Sequence, residues 1–196
     1  MNKFLSLMLI APLLLIISPI LEPNDHGPYY NQVQEMISII RQAVQKHVLP
    51  RWGKVKPRAK MNYNYKYTDL ITKADLKSSE YILKQVRKKF PGSYSEEHKS
   101  ANRFDHDLIW QIDPVDGTQE FCEGFSDGYT TLATLLKRQT DKTYYPVASI
   151  VYLPARDKLW YNDGSKKVVC LDRGIRVELP RFRRRFIKGY QRKINQ

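Results

Sequence analysis

The twelve residues Trp110-Gln-Ile-Asp113-Pro-Val-Asp116-Gly-Thr118-Gln-Glu-Phe121 constrain this chain more than any other stretch. Trp110 and Ile112, with a polar residue between them, mark the end of a strand. Asp113 and Asp116 follow, three apart across Pro114. The proline ring fixes φ and removes an N–H, so both carboxylates are expected to project from one tight turn. Two close carboxylates repel unless positive charge lies between them, and an all-oxygen donor set suits a hard divalent cation such as Mg²⁺. Gly117 lets the backbone approach a ligand closely, and Thr118 puts a hydroxyl where a helix can begin, a place that attracts phosphate. Standing alone, the segment also reads as a solvated, Asp-rich turn.

Two upstream pieces weigh against that plainer reading. Ile71-Thr-Lys-Ala-Asp75 leads into a helical pattern, and Ser95-Glu96-Glu97 follows Phe90-Pro-Gly92. In this order and with the Asp113 stretch, they resemble the inositol monophosphatase family of magnesium-dependent, lithium-sensitive phosphomonoesterases, over about residues 29–164. The resemblance implies that Glu96, Asp113, Asp116 and the Val115 carbonyl hold Mg²⁺, and that Glu97 lies near an additional metal position. It implies that Thr118, oriented by Asp75, positions the attacking water with Glu96 as partner. The substrate's phosphate would be bound among Glu96, Asp116 and the backbone N–H groups of Gly117 and Thr118. With a metal to lower the pKa of water, no histidine base is needed, and the four histidines fall outside these motifs. The run Gly117-Thr-Gln-Glu-Phe121 looks more like the bisphosphate nucleotidase branch than the inositol branch. The substrate expected is therefore a small phosphorylated metabolite, an inositol phosphate or a 3'-phosphoadenosine 5'-phosphate type.

The rest of the pattern describes a scaffold. Val33, Met36, Ile37, Ile40, Val44 and Val48 recur at helical spacing up to Pro50. Residues 51–66 are basic, rich in Tyr and Asn, and without period, which fits a loop or loose hairpin better than a nucleic-acid surface. Asp75 is expected to cap a second helix whose inner face is Ile82, Leu83, Val86 and Phe90, stopped by Pro91-Gly92. His106 is expected in an exposed polar loop. Residues 130–136, 147–152 and 158–161 are rich in β-branched and apolar side chains and read as strands. The fold class expected is α+β: the N-terminal half of the layered sugar-phosphatase fold, with two helices packed on a mostly antiparallel sheet.

At 196 residues and 42% hydrophobic, the chain can bury one sizeable core. Its net charge of +13 favours anionic partners. Cys122 and Cys170 are too few for a disulfide framework and lack metal-site spacing, so both are expected as thiols. Three regions result: a hydrophobic segment at 1–24, a metal-binding domain at 25–172 and a basic tail at 173–196. In the first, Lys3 precedes an uncharged run at 4–21, the pattern of a secretory signal or of a membrane anchor roughly 18 residues long. No small-x-small cleavage site follows it, which favours an anchor. If translation starts downstream, a cytoplasmic protein is expected instead. The tail carries nine Lys/Arg and the single acidic residue Glu178. Family members add a second domain whose W-D motif completes a second metal site, and that motif is not found in these residues. Two functions are therefore weighed: Mg²⁺-dependent phosphatase, or a truncated, catalytically weak relative held at an anionic membrane surface by its basic tail. A homodimer is compatible with either, and no recognition helix, zinc module or aromatic platform points to specific nucleic acid.

Overall fold

The structure is a computed structural model, and it describes residues 26–60, 70–100 and 103–179. The hydrophobic segment at 1–24 and most of the basic tail lie outside the described residues. Helix α1, Tyr30–Ala43, forms where the apolar spacing predicts it and buries Val33, Met36, Ile37, Ile40 and Ala43. It continues as a wide turn at Val44–Val48, which buries Val44 and Val48, and as a short 3₁₀ turn at Leu49–Arg51 where Pro50 ends it.

The loop that follows is tied back at two points. Gly53 N–H donates to the Phe121 carbonyl at 3.0 Å. Strand β1, Arg58–Ala59, pairs antiparallel with β2, Leu70–Ile71, which lies beyond the stretch expected as a loop or loose hairpin; residues 61–66 of that stretch lie outside the described residues. Helix α2, Lys73–Val86, starts three positions earlier than expected: Thr72, not Asp75, is its N-cap. Thr72 Oγ1 accepts from Ala74 N–H at 3.0 Å, and Asp75, at the third helical position, reaches back to accept Thr72 N–H at 2.9 Å. This reciprocal box satisfies two backbone donors where a lone cap satisfies one. Phe90, expected on the helix's inner face, lies beyond its end but packs against the core.

Among the described residues, seven strands make the main sheet, in the order β3 (Tyr94–Ser95), β4 (Leu108–Asp116), β5 (Thr130–Arg138), β6 (Tyr144–Leu153), β7 (Lys158–Asn162), β8 (Val169–Asp172) and β9 (Ile175–Val177). Strands β3 and β4 are parallel and every other pair is antiparallel. The short helix α3, Thr118–Glu123, separates β4 from β5. The three strands read from the sequence fall within β5, β6 and β7. The sheet also runs past residue 172, because Arg173 and Gly174, both at positive φ, turn the chain into β9.

One row of the sheet, Ile112, Ala133, Ile150 and Tyr161, sits in mutual register and is buried, as is the neighbouring row Trp110, Leu135 and Ala148. α1 and α2 pack their apolar stripes on this face, α2 over β4 and α1 over β6, which closes a single core. His106, expected exposed, is half-buried, and its carbonyl accepts the Tyr144 hydroxyl. Cys122 and Cys170 are free thiols, the second fully buried.

Candidate active site

The acidic residues gather where the topology brings three ends together: the end of β4, the loop after β3 and the first turn of α2. Ser95 pairs in register with Ile112, so the next residue along, Glu96, comes beside Asp113. Glu96 N–H donates to the Ile112 carbonyl at 3.0 Å, which extends the pairing by one step. The Glu96 carboxylate comes close enough for its charge to act on Asp113.

Asp113 and Asp116, expected on one tight turn, stand instead on a strand. Strand β4 runs through Pro114 to Asp116 with a bulge between the two aspartates, Asp113 pairing with Leu132 and Asp116 with Thr130. Proline cannot donate to a ladder, and a bulge removes the need. The Pro114 carbonyl, freed from regular pairing, accepts the Thr131 hydroxyl at 2.8 Å. Gly117, at φ 88°, then turns the chain into α3, and a Cβ there would lie 2.2 Å from the Gly128 carbonyl oxygen. Thr118 Oγ1 lies 3.2 Å from the Val115 carbonyl and 3.4 Å from Asp75 Oδ1, two acceptors for its single proton.

All seven residues expected at the site, Asp75, Glu96, Asp113, Val115, Asp116, Gly117 and Thr118, line one open cleft. Glu97, Gln119 and Glu120 line it too, with Leu70 and Lys60. The sequence reading missed Lys60, one of several basic residues in a stretch without periodicity; only the β1–β2 pairing carries it to the cleft. Its ammonium is bonded to Glu96 Oε1 and stands 3.0 Å from Glu97 Oε1. Burial works to lower its pKa, but the bonds and charges of the two glutamates outweigh burial and hold it above the ordinary lysine value. Also missed was a clasp on the acidic loop. Ser79 Oγ, fully buried on α2, bonds Ser95 Oγ and lies 2.8 Å from His98 Nδ1, while His98 N–H donates to Ser95 Oγ at 2.9 Å.

Electrostatics explains how so many acids coexist. Burial, then the charge and hydrogen bond of Glu96, then the charge of Asp116 push the Asp113 carboxyl up to about 7, against the pull of the Val115 N–H. Burial raises Asp75 against its bonds to Thr72, and burial raises Glu97 against Lys60. Among the described residues, no three acidic, histidine or cysteine side chains already form a metal cage. The chemistry of the donors nevertheless fits a hard divalent cation. Every candidate ligand is an oxygen, burial and the neighbouring acids raise the Asp113 carboxyl, and an ammonium already stands against Glu96.

A sheet covered by two helices, with carboxylates collected at a bulged strand end, defines an α+β protein with an acidic cleft suited to a divalent cation. The chain belongs to the inositol monophosphatase family, whose model matches residues 30–182. It is 30% identical over 112 residues to the Nus factor SuhB of Pasteurella multocida, covering 56% of this chain and 40% of that one. To the inositol-1-monophosphatase of a Synechocystis species it is 25% identical over 144 residues, 72% of this chain and 46% of the relative. Among solved structures, the fold is similar to the Thermotoga maritima IMPase, with a TM-score of 0.59 at 21% identity, covering 78% of this chain and 55% of that one. It is also similar to an IMPase/NADP phosphatase complexed with Mg²⁺ and phosphate, with a TM-score of 0.54 at 20% identity, covering 77% and 52%. The chain thus spans about half the length of the relatives it matches.

Proposed function

We propose that this chain carries the metal-holding half of a phosphomonoester hydrolase and hydrolyses a small phosphomonoester with Mg²⁺. The observation that carries the proposal is the parallel β3–β4 pairing, which sets Glu96 against Asp113 beside Asp116, Val115 and Thr118. Glu96, Asp113, Asp116 and the Val115 carbonyl would hold the cation, which when bound supplies a Lewis acid and lowers the pKa of a water. The remaining work falls to the chain. Thr118 Oγ1 gives its proton to Asp75 or to the Val115 carbonyl, so its lone pairs face the cleft and can accept from an attacking water. The Thr72 bonds hold the Asp75 carboxylate in place for that task. Gly117, without a side chain, keeps the backbone at the cleft wall open to a phosphate. Family membership, and a fold neighbour solved with Mg²⁺ and phosphate, support the same reading.

Inositol 1-phosphate and 3'-phosphoadenosine 5'-phosphate are the substrates to try first, the second favoured by Gln119-Glu120-Phe121. Phosphate release should require Mg²⁺ and be inhibited by lithium, and Asp113→Asn should lower it by about 100-fold or more. Release that survives Asp113→Asn unchanged would refute the assignment. Mg²⁺ binding without hydrolysis of either compound would favour a non-catalytic relative. The apolar run at 4–21 supports attachment to a membrane, which carbonate extraction of the expressed chain tests. Among the described residues, no helix is long and apolar enough to cross a membrane.

A further inference from the structure

Among the described residues that line the acidic cleft, Lys60 alone is basic. Six acidic residues, Asp75, Glu96, Glu97, Asp113, Asp116 and Glu120, line the same cleft. So many carboxylates in one cleft repel each other unless a cation lies among them. Lys60 supplies one, its ammonium set between Glu96 and Glu97.

The Lys60–Glu97 side of this contact is largely buried, with side chains 20% and 6% exposed, while Glu96, at 45%, faces the open cleft. Lys60 is also well placed to leave. It follows the two-residue strand β1, which among the described residues pairs with the two-residue strand β2, outside the seven-stranded sheet.

We propose that Lys60 is a built-in counter-ion: it neutralises Glu96 and Glu97 while the cleft is metal-free and is displaced when a divalent cation takes Glu96. Metal binding then competes with a side chain of the same protein. The inference rests on the metal-holding role proposed above for Glu96, Asp113 and Asp116. The reason for displacement is distance. A cation held by Glu96 would lie close to the ammonium bonded to the same carboxylate, and two positive charges that near repel.

Competition makes a reciprocal demand. Whatever Lys60 contributes to the metal-free fold, its removal must return as tighter metal binding. The test uses the full chain, wild type and Lys60→Met, with Mn²⁺ as the probe, followed by titration calorimetry and by thermal melting in chelator and in saturating Mn²⁺. Lys60→Met should melt below wild type in chelator, bind Mn²⁺ about tenfold tighter, and melt with wild type once saturated. Arg58→Met, which removes a nearby charge outside the cleft lining, should change Mn²⁺ affinity far less. If Lys60→Met folds only with Mn²⁺ present, that dependence is itself the expected linkage; if it does not fold even then, Lys60→Gln is read in the same way.

Four results would overturn the inference: no gain in affinity, a melting deficit that persists at saturation, an equal gain from Arg58→Met, or neither Lys60 variant folding with Mn²⁺. A wild type and a Lys60 variant that both fail to bind Mn²⁺ would instead refute the metal-holding role itself, and the inference with it.

Discussion

Gly117→Ala offers a sharp test of how the bulged strand is joined to the site. Gly117 sits at φ 88°, and the added Cβ would meet the Gly128 carbonyl oxygen at 2.2 Å and the Tyr129 Cα at 3.2 Å. Holding an alanine in that backbone region costs about 1–2 kcal/mol. The oxygen contact is roughly 1 Å inside ordinary van der Waals distance, and both atoms belong to backbone, so relief requires α3 or the start of β5 to move. Gly124 provides the control. It has nearly the same φ, 83°, but a Cβ there meets only the Gly53 Cα at 3.6 Å, an ordinary contact.

Gly124→Ala should therefore lose about 1–2 kcal/mol and Gly117→Ala about 3–5 kcal/mol, the excess being the clash. For a chain of this size the first loss lowers the melting temperature by about 2–8 °C and the second by at least about 6 °C. Urea unfolding of both variants, with m unchanged from wild type, gives the comparison. Because Thr118 follows directly, Gly117→Ala should also weaken Mn²⁺ binding, whereas Gly124→Ala should leave it within about twofold of wild type. Equal destabilisation by the two substitutions would refute the reasoning, since only one of them carries the backbone collision.

Two further expectations concern the acids and their support. Asp113 has a folded-state pKa of about 7 against an ordinary value of 3.8, so the folded chain holds this proton more tightly than the unfolded chain. The sign follows: in chelator its burden on stability is full above about pH 7, shrinks as pH falls through 7 and is gone near pH 4. Asp113→Asn should therefore be more stable than wild type at pH 8, with the advantage vanishing by about pH 4, as urea unfolding at the two pH values would reveal; a constant difference would contradict the assigned cause. Ser79→Ala removes a fully buried hydroxyl from both Ser95 Oγ and His98 Nδ1 and should cost about 1–3 kcal/mol. It should weaken Mn²⁺ binding as well, since the same bonds hold the Glu96 loop to α2, and metal affinity equal to wild type would deny the clasp any role in positioning.

Local patterns accounted for much of this protein, and their failures share a cause. The inner face of α1 was legible because Val33, Met36, Ile37 and Ile40 repeat at helical spacing, and β5 to β7 because apolar and β-branched residues cluster between turn signals. The capping residue of α2 was misread by three positions because Thr72 and Asp75 both suit an N-terminus, and only the reciprocal bonds between them decide which is outside the helix. The turn expected at Asp113 is a strand bulge because the partner strand β5, remote in sequence, continues the ladder on both sides of Pro114.

By itself, then, the sequence determined the donor chemistry of the cleft and the choice of helices over strands, since residue type and periodicity act within a few positions. Tertiary structure alone decided which groups meet. β3 is two residues long and carries no periodic signal, yet its parallel register brings Glu96 against Asp113. Lys60 looks like any basic loop residue until the pairing of Arg58–Ala59 with Leu70–Ile71 carries it into the acids. Both are pairings between distant segments, selected by the burial and hydrogen bonding of the whole fold, and no short window of residues contains them.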